Sequence, residues 1–367
     1  MNELQVTFRL TTPLFLSGAD QAKAELHLPS IKGALRFWYR AINGNFNRFI
    51  PATQQTYEEE LFGSPRSNLG QGRFLLRSRM NQSLDCAILE GRDRLFAGLS
   101  YFTFFTKDKD HDQEQKQKRA YFHANQTFTL SFLLRSGKEE EQLRNWQGLL
   151  ASIWLLGHIG GLGYRNRKGF GSLALEHWHV TNLPIPQQMI NQLPIAHRAK
   201  RPKDWFQSFY RGLSILNQWF PAFQNERHTI INDQAAFYLP KGETTWNAAL
   251  KKGAYTLQQF RKRFKKDRLA LGLPMNVEQK DIAYRPNKRD GDRMPSPAIS
   301  RVIHLDKKFY PIYMILPSPF PEVVKENTKN PDAPADKQNI HFGIALDRFT
   351  KHLEEKGFRK QRKELYL

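Results

Sequence analysis

An α+β fold is predicted by three features of this 367-residue chain. Segments with the two-residue period of half-buried strands alternate with segments whose apolar residues recur every three to four positions, as in amphipathic helices. In the first half these segments run strand, helix, strand, strand, helix, strand. Hydrophobic residues make up 40% of the chain, with 27 Phe, 12 Tyr and 7 Trp, which builds a core and excludes disorder as the dominant state. At roughly 150 residues per domain the length calls for two domains.

The first strand is read over Leu4 to Leu16, where Leu4, Val6, Phe8 and Leu10 alternate with Gln5, Thr7 and Arg9 until Pro13 forces a bend or an edge. LPSIKGALRFWYRAI (Leu28 to Ile42) follows as a helix with Ser30 as N-cap and Ile31, Ala34, Leu35, Trp38 and Ile42 on one face. Residues 45–125 read as a long insertion or β-hairpin arm. Within it, Gly72 to Met80 and Leu95 to Phe105 look like strands, and Lys107 to Arg119 looks like a solvated loop tip. Phe128 to Arg135 is a strand. The next helix begins with acidic residues at Glu139, as the helix dipole favours. After a glycine-rich loop, Ser172 to Val180 supplies the last strand. This order is the ferredoxin-like pattern that RRM-type RNA binders also use, so residues 1–182 are expected to form one such domain.

Thr181 to Asp204 carries four prolines and many polar residues, which places a linker at 183–203. Residues 204–367 then form a second domain. Its predicted elements are helices at Trp205 to Trp219 and Leu250 to Arg268, a strand pair over Ala298 to Leu316 turning at Asp306–Lys308, and a helix from His341 to Lys356. Lys325 to Asn339 reads as a surface loop.

Charge narrows the function. The chain has 56 Lys and Arg against 35 Asp and Glu, a net charge of +21. Residues 1–180 hold 23 basic and 17 acidic side chains, and the remainder holds 33 and 18. Such a surface repels itself unless a polyanion neutralises part of it; nucleic acid is the commonest, an anionic membrane the second. The longest apolar stretch, Leu149 to Gly163, contains His158 and four glycines and falls short of the roughly 20 residues of a membrane span. No signal peptide is visible. The single cysteine, Cys86, excludes an intramolecular disulfide or a cysteine-based zinc cluster. A cytoplasmic protein with no membrane partner is therefore expected.

GHIGGLGYRNRKGFGSL (Gly157 to Leu173) is the most informative stretch. Six glycines, among them Gly161 and Gly163, interleave with Arg165, Arg167 and Lys168 and with Tyr164 and Phe170. Glycines let backbone N–H groups approach an anion, arginines bind phosphate bidentately, and either aromatic can stack a base. The plainer reading is a tight turn capping a helix. A phosphate loop of the Walker type does not match, because Lys168 precedes Gly169 and the order is helix to strand. Lys32, Arg36 and Arg40 form a second candidate, a basic stripe near a helix N-terminus, whose plainer reading is a solvated face. Arg285 to Arg301, which contains Arg293, is a third basic, proline-rich segment, and Arg261 to Arg268 is a dense cationic cluster. Chemistry is thinly signalled: His177 and His179 lack a third ligand at a useful spacing, and no catalytic residue, metal or cofactor is expected.

TTPLFLSGAD, SIKGALRFW, ELFGS (Glu60 to Ser64), GGLGYRNRKGFGSL and RMPSPAISRV occur in that order between residues 11 and 316. Together they resemble the first-subunit family of the Cmr effector complexes of type III-B CRISPR systems, in the RAMP superfamily. The combination of the helix motif with the glycine-rich loop is specific, and Tyr39 departs from a family tryptophan. The resemblance implies two ferredoxin-like domains and a non-catalytic subunit. It also implies contacts to the crRNA 3′ region and target RNA, and the sixth and backbone subunits as neighbours. RNA contact then falls to Lys32, Arg36, Arg40, Gly161, Gly163, Tyr164, Arg165, Arg167, Lys168 and Arg293. The rival expectation is a Cas6-like, metal-independent ribonuclease that processes precursor crRNA with a histidine.

Overall fold

The computed structural model describes residues 2–65, 70–79, 84–89, 96, 98–99, 119–135, 137–181, 184–221, 228–277, 282–286, 293–321, 324–328, 336–338 and 341–366. Strand β1 (Asn2–Leu10) buries Leu4, Val6, Phe8 and Leu10 fully, with half-buried residues between them. It stops short of the predicted Leu16, because Thr11 and Thr12 leave the ladder. Thr11 Oγ1 donates to the carbonyls of Ser172 and Val302 at 3.1 and 2.8 Å. Strands β2 (Phe74–Arg79), β3 (Thr127–Leu134) and β4 (Leu173–Val180) complete an antiparallel sheet ordered β2-β3-β1-β4. Val6 faces Leu130 on one side and Trp178 on the other.

Helix α1 (Leu28–Ile42) has the predicted bounds but starts from His27, not Ser30. Pro29 fits the first turn, where its missing N–H is no loss, and Ser30 Oγ lies 2.8 Å from His27 Nδ1. Helix α2 (Tyr57–Phe62) is held by a capping box between Thr56 and Glu59. Helix α3 (Glu139–Ile159) lies so close to α1 that a Cβ on Gly148 would sit 2.7 Å from Tyr39 Cε2.

The insertion reading of 45–125 is corrected at β2, which belongs to the main sheet. Around it, Phe49–Ile50 pairs with Gln55–Thr56, and Cys86–Leu89 pairs with Arg119–Phe122. Most of the predicted strand at Leu95 to Phe105 and of the polar run at Lys107 to Arg119 lies outside the described residues.

The segment expected as a linker is structured as well. Helix α4 (Pro184–Gln192) uses its prolines in the first turn, where they cost no hydrogen bond, and a 3₁₀ turn at Ala196–Arg198 buries Ala196 and His197. Helix α5 (Pro202–Trp219) then packs across both halves. Its Phe209 ring stacks on Trp154 of α3 at 5.3 Å and meets Phe237 of the second half edge-on at 5.2 Å.

In the second half, β5 (Ala236–Leu239), β6 (Ala298–Leu305), β7 (Lys308–Ile315) and β8 (Arg359–Gln361) form an antiparallel sheet ordered β6-β7-β5-β8. The order repeats that of the first sheet. Helix α6 (Trp246–Arg263) begins earlier than predicted because Thr245 Oγ1 caps it, accepting from Ala248 N–H at 3.1 Å. Helix α7 (Phe342–Glu355) follows the prediction closely. A third sheet joins Met275–Val277, Ile282–Pro286, Val324–Thr328 and Asp336–Gln338, so part of the predicted surface loop after Lys325 is strand. Long-range backbone pairing made this possible, and the polar side chains gave no sign of it. No described helix is long and apolar enough to cross a membrane.

Candidate nucleic-acid interface

The glycine-rich loop joins α3 to β4 and is pinned on both sides by its own backbone. Leu162 N–H donates to Gly171 O at 3.0 Å, Tyr164 N–H to Phe15 O at 2.8 Å, and Gly171 N–H to Pro13 O at 2.8 Å. Gly163 and Gly171 adopt positive φ of 73° and 59°. A Cβ there would lie 2.2 Å from Phe15 O and 2.1 Å from Leu162 O respectively, so only glycine fits. The far side of the loop meets β6: Ser300 N–H donates to Arg167 O at 3.0 Å, and Arg167 Nη1 donates to Ser296 O at 2.8 Å. Arg301 reaches back to accepting carbonyls of Gly160, at 3.1 Å, and of Leu173. The tight-turn reading is thus true of Gly161, Gly163 and Gly171, which pack the loop against Pro13, Phe15 and Ser172 of the first half, while Arg167 and Arg301 join the two halves.

The three loop cations divide. Arg167 belongs to the junction: burial pushes its guanidinium down to about 10, and it lies 5.0 Å over the Phe37 ring. Lys168 is pushed well below its ordinary value by burial, then by Arg261, Arg165 and Arg167. Every charged group in that set is a cation. Arg165 sits at the loop tip with φ of 60° and lies 5.0 Å over Tyr164, while Arg119 covers the same ring at 4.4 Å. Tyr164 is 36% exposed, so an aromatic ring stands at the surface among cations. Such a set can hold a phosphodiester.

The α1 stripe is different. Glu58, buried on α2, accepts from Arg40 Nε and Nη2 at 2.6 and 2.5 Å, and lies 3.2 Å from Arg36 Nε. Arg36 Nη2 also donates to Gly63 O at 2.6 Å. Arg36 and Arg40 are therefore ion-paired to a buried carboxylate within the molecule while remaining partly exposed. Lys32 lies 5.0 Å over Phe74 and lines a cavity of about 460 Å³ with Gly63 and Ser64; burial, then Arg36, lowers its pKa. Glu58→Ala should cost about 2 kcal/mol in urea unfolding. That is less than the roughly 3–5 of a fully buried pair, because the two arginine side chains stay 31% and 38% exposed.

Arg293 is exposed and distant in sequence from these clusters. The rings of His177 and His179 lie 5.4 Å apart, and no cluster of three or more His, Cys, Asp or Glu side chains able to hold a metal occurs among the described residues. His158 is spent on structure: it accepts from Ala196 N–H at 3.0 Å and its Nδ1 lies 2.7 Å from Trp154 O. Reasoning from sequence missed Arg119, Phe37 and Arg301. Arg119 comes from the insertion, and Phe37 and Arg301 converge from segments more than half the chain apart.

A RAMP superfamily model matches residues 7–174, from β1 into β4 and through the glycine-rich loop. The chain is 31% identical over 179 residues to the CRISPR system Cmr subunit Cmr1-2 of Pyrococcus furiosus, covering 45% of this chain and 90% of that protein. With subunit Cmr1-1 of the same organism it shares 22% identity over 279 residues, 72% of this chain and 74% of the other. Its fold is similar to the crystal structure of apo Cmr1 from Pyrococcus furiosus, with a TM-score of 0.61 at 16% identity over 98% of each chain. It is also similar to a chain in the cryo-EM structure of the type III-B Cmr-beta complex bound to cognate target RNA. There the TM-score is 0.58 at 13% identity over 96% of this chain and 99% of that one.

Proposed function

Because this chain belongs to the RAMP superfamily, as a Cmr subunit of type III-B CRISPR systems, we propose that it is a non-catalytic RNA-binding subunit. It grips the crRNA 3′ region and the matching target RNA in the cytoplasm, beside the sixth and backbone subunits. One observation carries the reading: Tyr164 stands at the surface with the Arg119 and Arg165 guanidiniums 4.4 and 5.0 Å from its ring, and Arg165 lies near Lys168 and Arg261. Like charges brought together in a half-buried site favour an anion that fills it. The repeated strand order supports reading residues 1–182 and 204–367 as two ferredoxin-like domains joined through 183–203. In this reading phosphate contacts supply affinity, and base pairing between guide and target reads sequence.

The test is the double variant Arg119→Ala with Arg165→Gly. Glycine removes the strain of a left-handed arginine while adding freedom to the unfolded chain, so stability should move by less than about 1 kcal/mol. Single-stranded RNA affinity should fall and the slope of log K against log salt should flatten by about 1.4, two phosphate contacts' worth. An unchanged slope would remove the site. Metal-independent cleavage of repeat RNA by the purified protein would overturn the non-catalytic assignment in favour of the processing-nuclease alternative.

A further inference from the structure

Helix α6 carries five cations and no acidic residue, and those cations divide by partner. Lys252 Nζ lies 2.7 Å from Glu243 Oε1, Arg263 Nη1 lies 3.0 Å from Glu355 Oε2, and Arg261 Nη2 donates to Leu271 O at 3.2 Å. Lys251 and Lys262 pair with no carboxylate among the described residues. At about 100° of turn per residue, these two positions and Tyr255 fall within about 40° of one another, so they form one stripe along the helix. Tyr255 is 60% exposed. Its ring meets no other ring and no cation among the described residues, whereas the Tyr164 ring has guanidiniums 4.4 and 5.0 Å away. The helix borders the glycine-rich loop. A Cβ on Gly169 would stand 2.6 Å from Leu250 Cδ2, and Arg261 acts on Lys168 more strongly than Arg165 or Arg167 does. Toward the start of α6, a Cβ on Gly98 would stand 3.0 Å from Lys251 Cε. The Trp246 ring lies 6.1 Å from Phe96, itself 6.0 Å from Phe170 of the loop. A cationic surface therefore passes from the loop onto α6.

We propose that the Lys251, Tyr255 and Lys262 stripe of α6 is a second contact for single-stranded RNA, met by the same strand that the glycine-rich loop holds. The two lysines meet backbone phosphates, and the Tyr255 ring stacks one base. The inference rests on the RNA-binding reading above. Lysine suits this task as a point charge on a flexible stem, which needs no fixed geometry at the phosphate. The tyrosine ring supplies a flat face at low entropic cost, and every base has a π face, so the contact is indifferent to sequence. Lys251 to Lys262 spans about 16 Å at the helical rise, room for at most about five nucleotides of a stacked strand. A bare acidic protein surface would pair with the lysines alone; a strand that alternates phosphate and base uses the ring as well.

The experiment measures binding of the full chain, over a salt series, to oligouridylate of about 20 nucleotides, longer than the roughly 4–16 that one single-strand-binding fold covers. Lys251→Ala with Lys262→Ala should flatten the slope of log K against log salt by about 1.4, two phosphate contacts' worth. Lys252→Ala with Arg263→Ala removes the same charge from the same helix, at positions already paired to carboxylates, and should keep the native slope. Tyr255→Ala should weaken binding about tenfold, as loss of a stacked base does, while Tyr255→Phe keeps the ring and the native affinity. A native slope in the Lys251 and Lys262 variant, equal flattening in the two double variants, native affinity in Tyr255→Ala, or a Tyr255→Phe as weak as Tyr255→Ala would each overturn the proposal. The RNA-binding reading would still stand on the Arg119 and Arg165 variant. Absence of any RNA binding by the native chain would overturn both.

Discussion

Moving from about pH 7.5 to about pH 5 should cost roughly 2 kcal/mol of stability through His158, with His197 adding in the same direction, read as a fall in the urea midpoint. The source is a pair of histidines held neutral in the interior. His158 is pushed down to about 3, by burial first, with Arg301 adding to it and the hydrogen bond to Trp154 O opposing it. His197 is also pushed well below its ordinary value, by burial, then by His158 and Arg301. Both are lowered on folding, so well above about pH 6.5 neither state binds the proton and their contribution is fully present. As the pH falls below that, the unfolded chain takes up protons that the folded chain refuses. His158 then costs up to about 1.4 kcal/mol per pH unit down to about pH 3, and His197 acts in the same direction. Replacing both by glutamine should flatten the profile between about pH 6.5 and 5; a double variant that keeps the native slope would refute this source.

Gly171→Ala should be the most damaging single methyl in the chain, at about 4 kcal/mol in the same unfolding assay. The added carbon would stand 2.1 Å from Leu162 O and 2.9 Å from Leu14 Cδ1, at a φ of 59°. The first obstacle is backbone, fixed by Leu162 N–H donating to Gly171 O, and it cannot swing aside. The opposite outcome is expected at Gly33, on the exposed side of α1, where a Cβ meets nothing within 4 Å. Gly33→Ala should gain about 1 kcal/mol of helix propensity. Equal costs at the two positions would show that the loop relaxes and that close backbone approach is not what glycine provides there.

Periodicity made most of the fold legible. Helix α1 keeps its predicted bounds because Ile31, Leu35, Trp38 and Ile42 mark a face strongly enough to fix both ends. The hairpin of β6 and β7 turns where Asp306 was expected, with that residue at φ of 50°. The signal failed where partners are distant and side chains polar, as at Val324–Thr328, whose strand exists only through pairing with Ile282–Pro286. In the candidate site, the glycine-rich loop reads from sequence as a nest of N–H groups for an anion, whereas the N–H groups of Leu162, Tyr164, Lys168, Gly169 and Gly171 donate to carbonyls of the protein itself. The fate of each cation was not legible. Arg36 and Arg40 share spacing and exposure with a free basic stripe, and only the buried Glu58 from α2 shows that they are occupied. Arg167 and Arg165 are two residues apart yet serve different ends, because Phe37 and Ser296 meet one and Tyr164 the other.

The reach of Arg301 back to Gly160 and Leu173 also sets a timetable for synthesis. A ribosome adding about 5–20 residues per second delivers β6 roughly 6–24 seconds after β4 has left the peptidyl-transferase centre. Throughout that interval the nascent first half carries the two carbonyls that Arg301 will later cover, still open to water. A transcript cut short between these segments would yield a product able to form its sheet yet unable to seal it, and such a fragment is a ready substrate for cellular proteases.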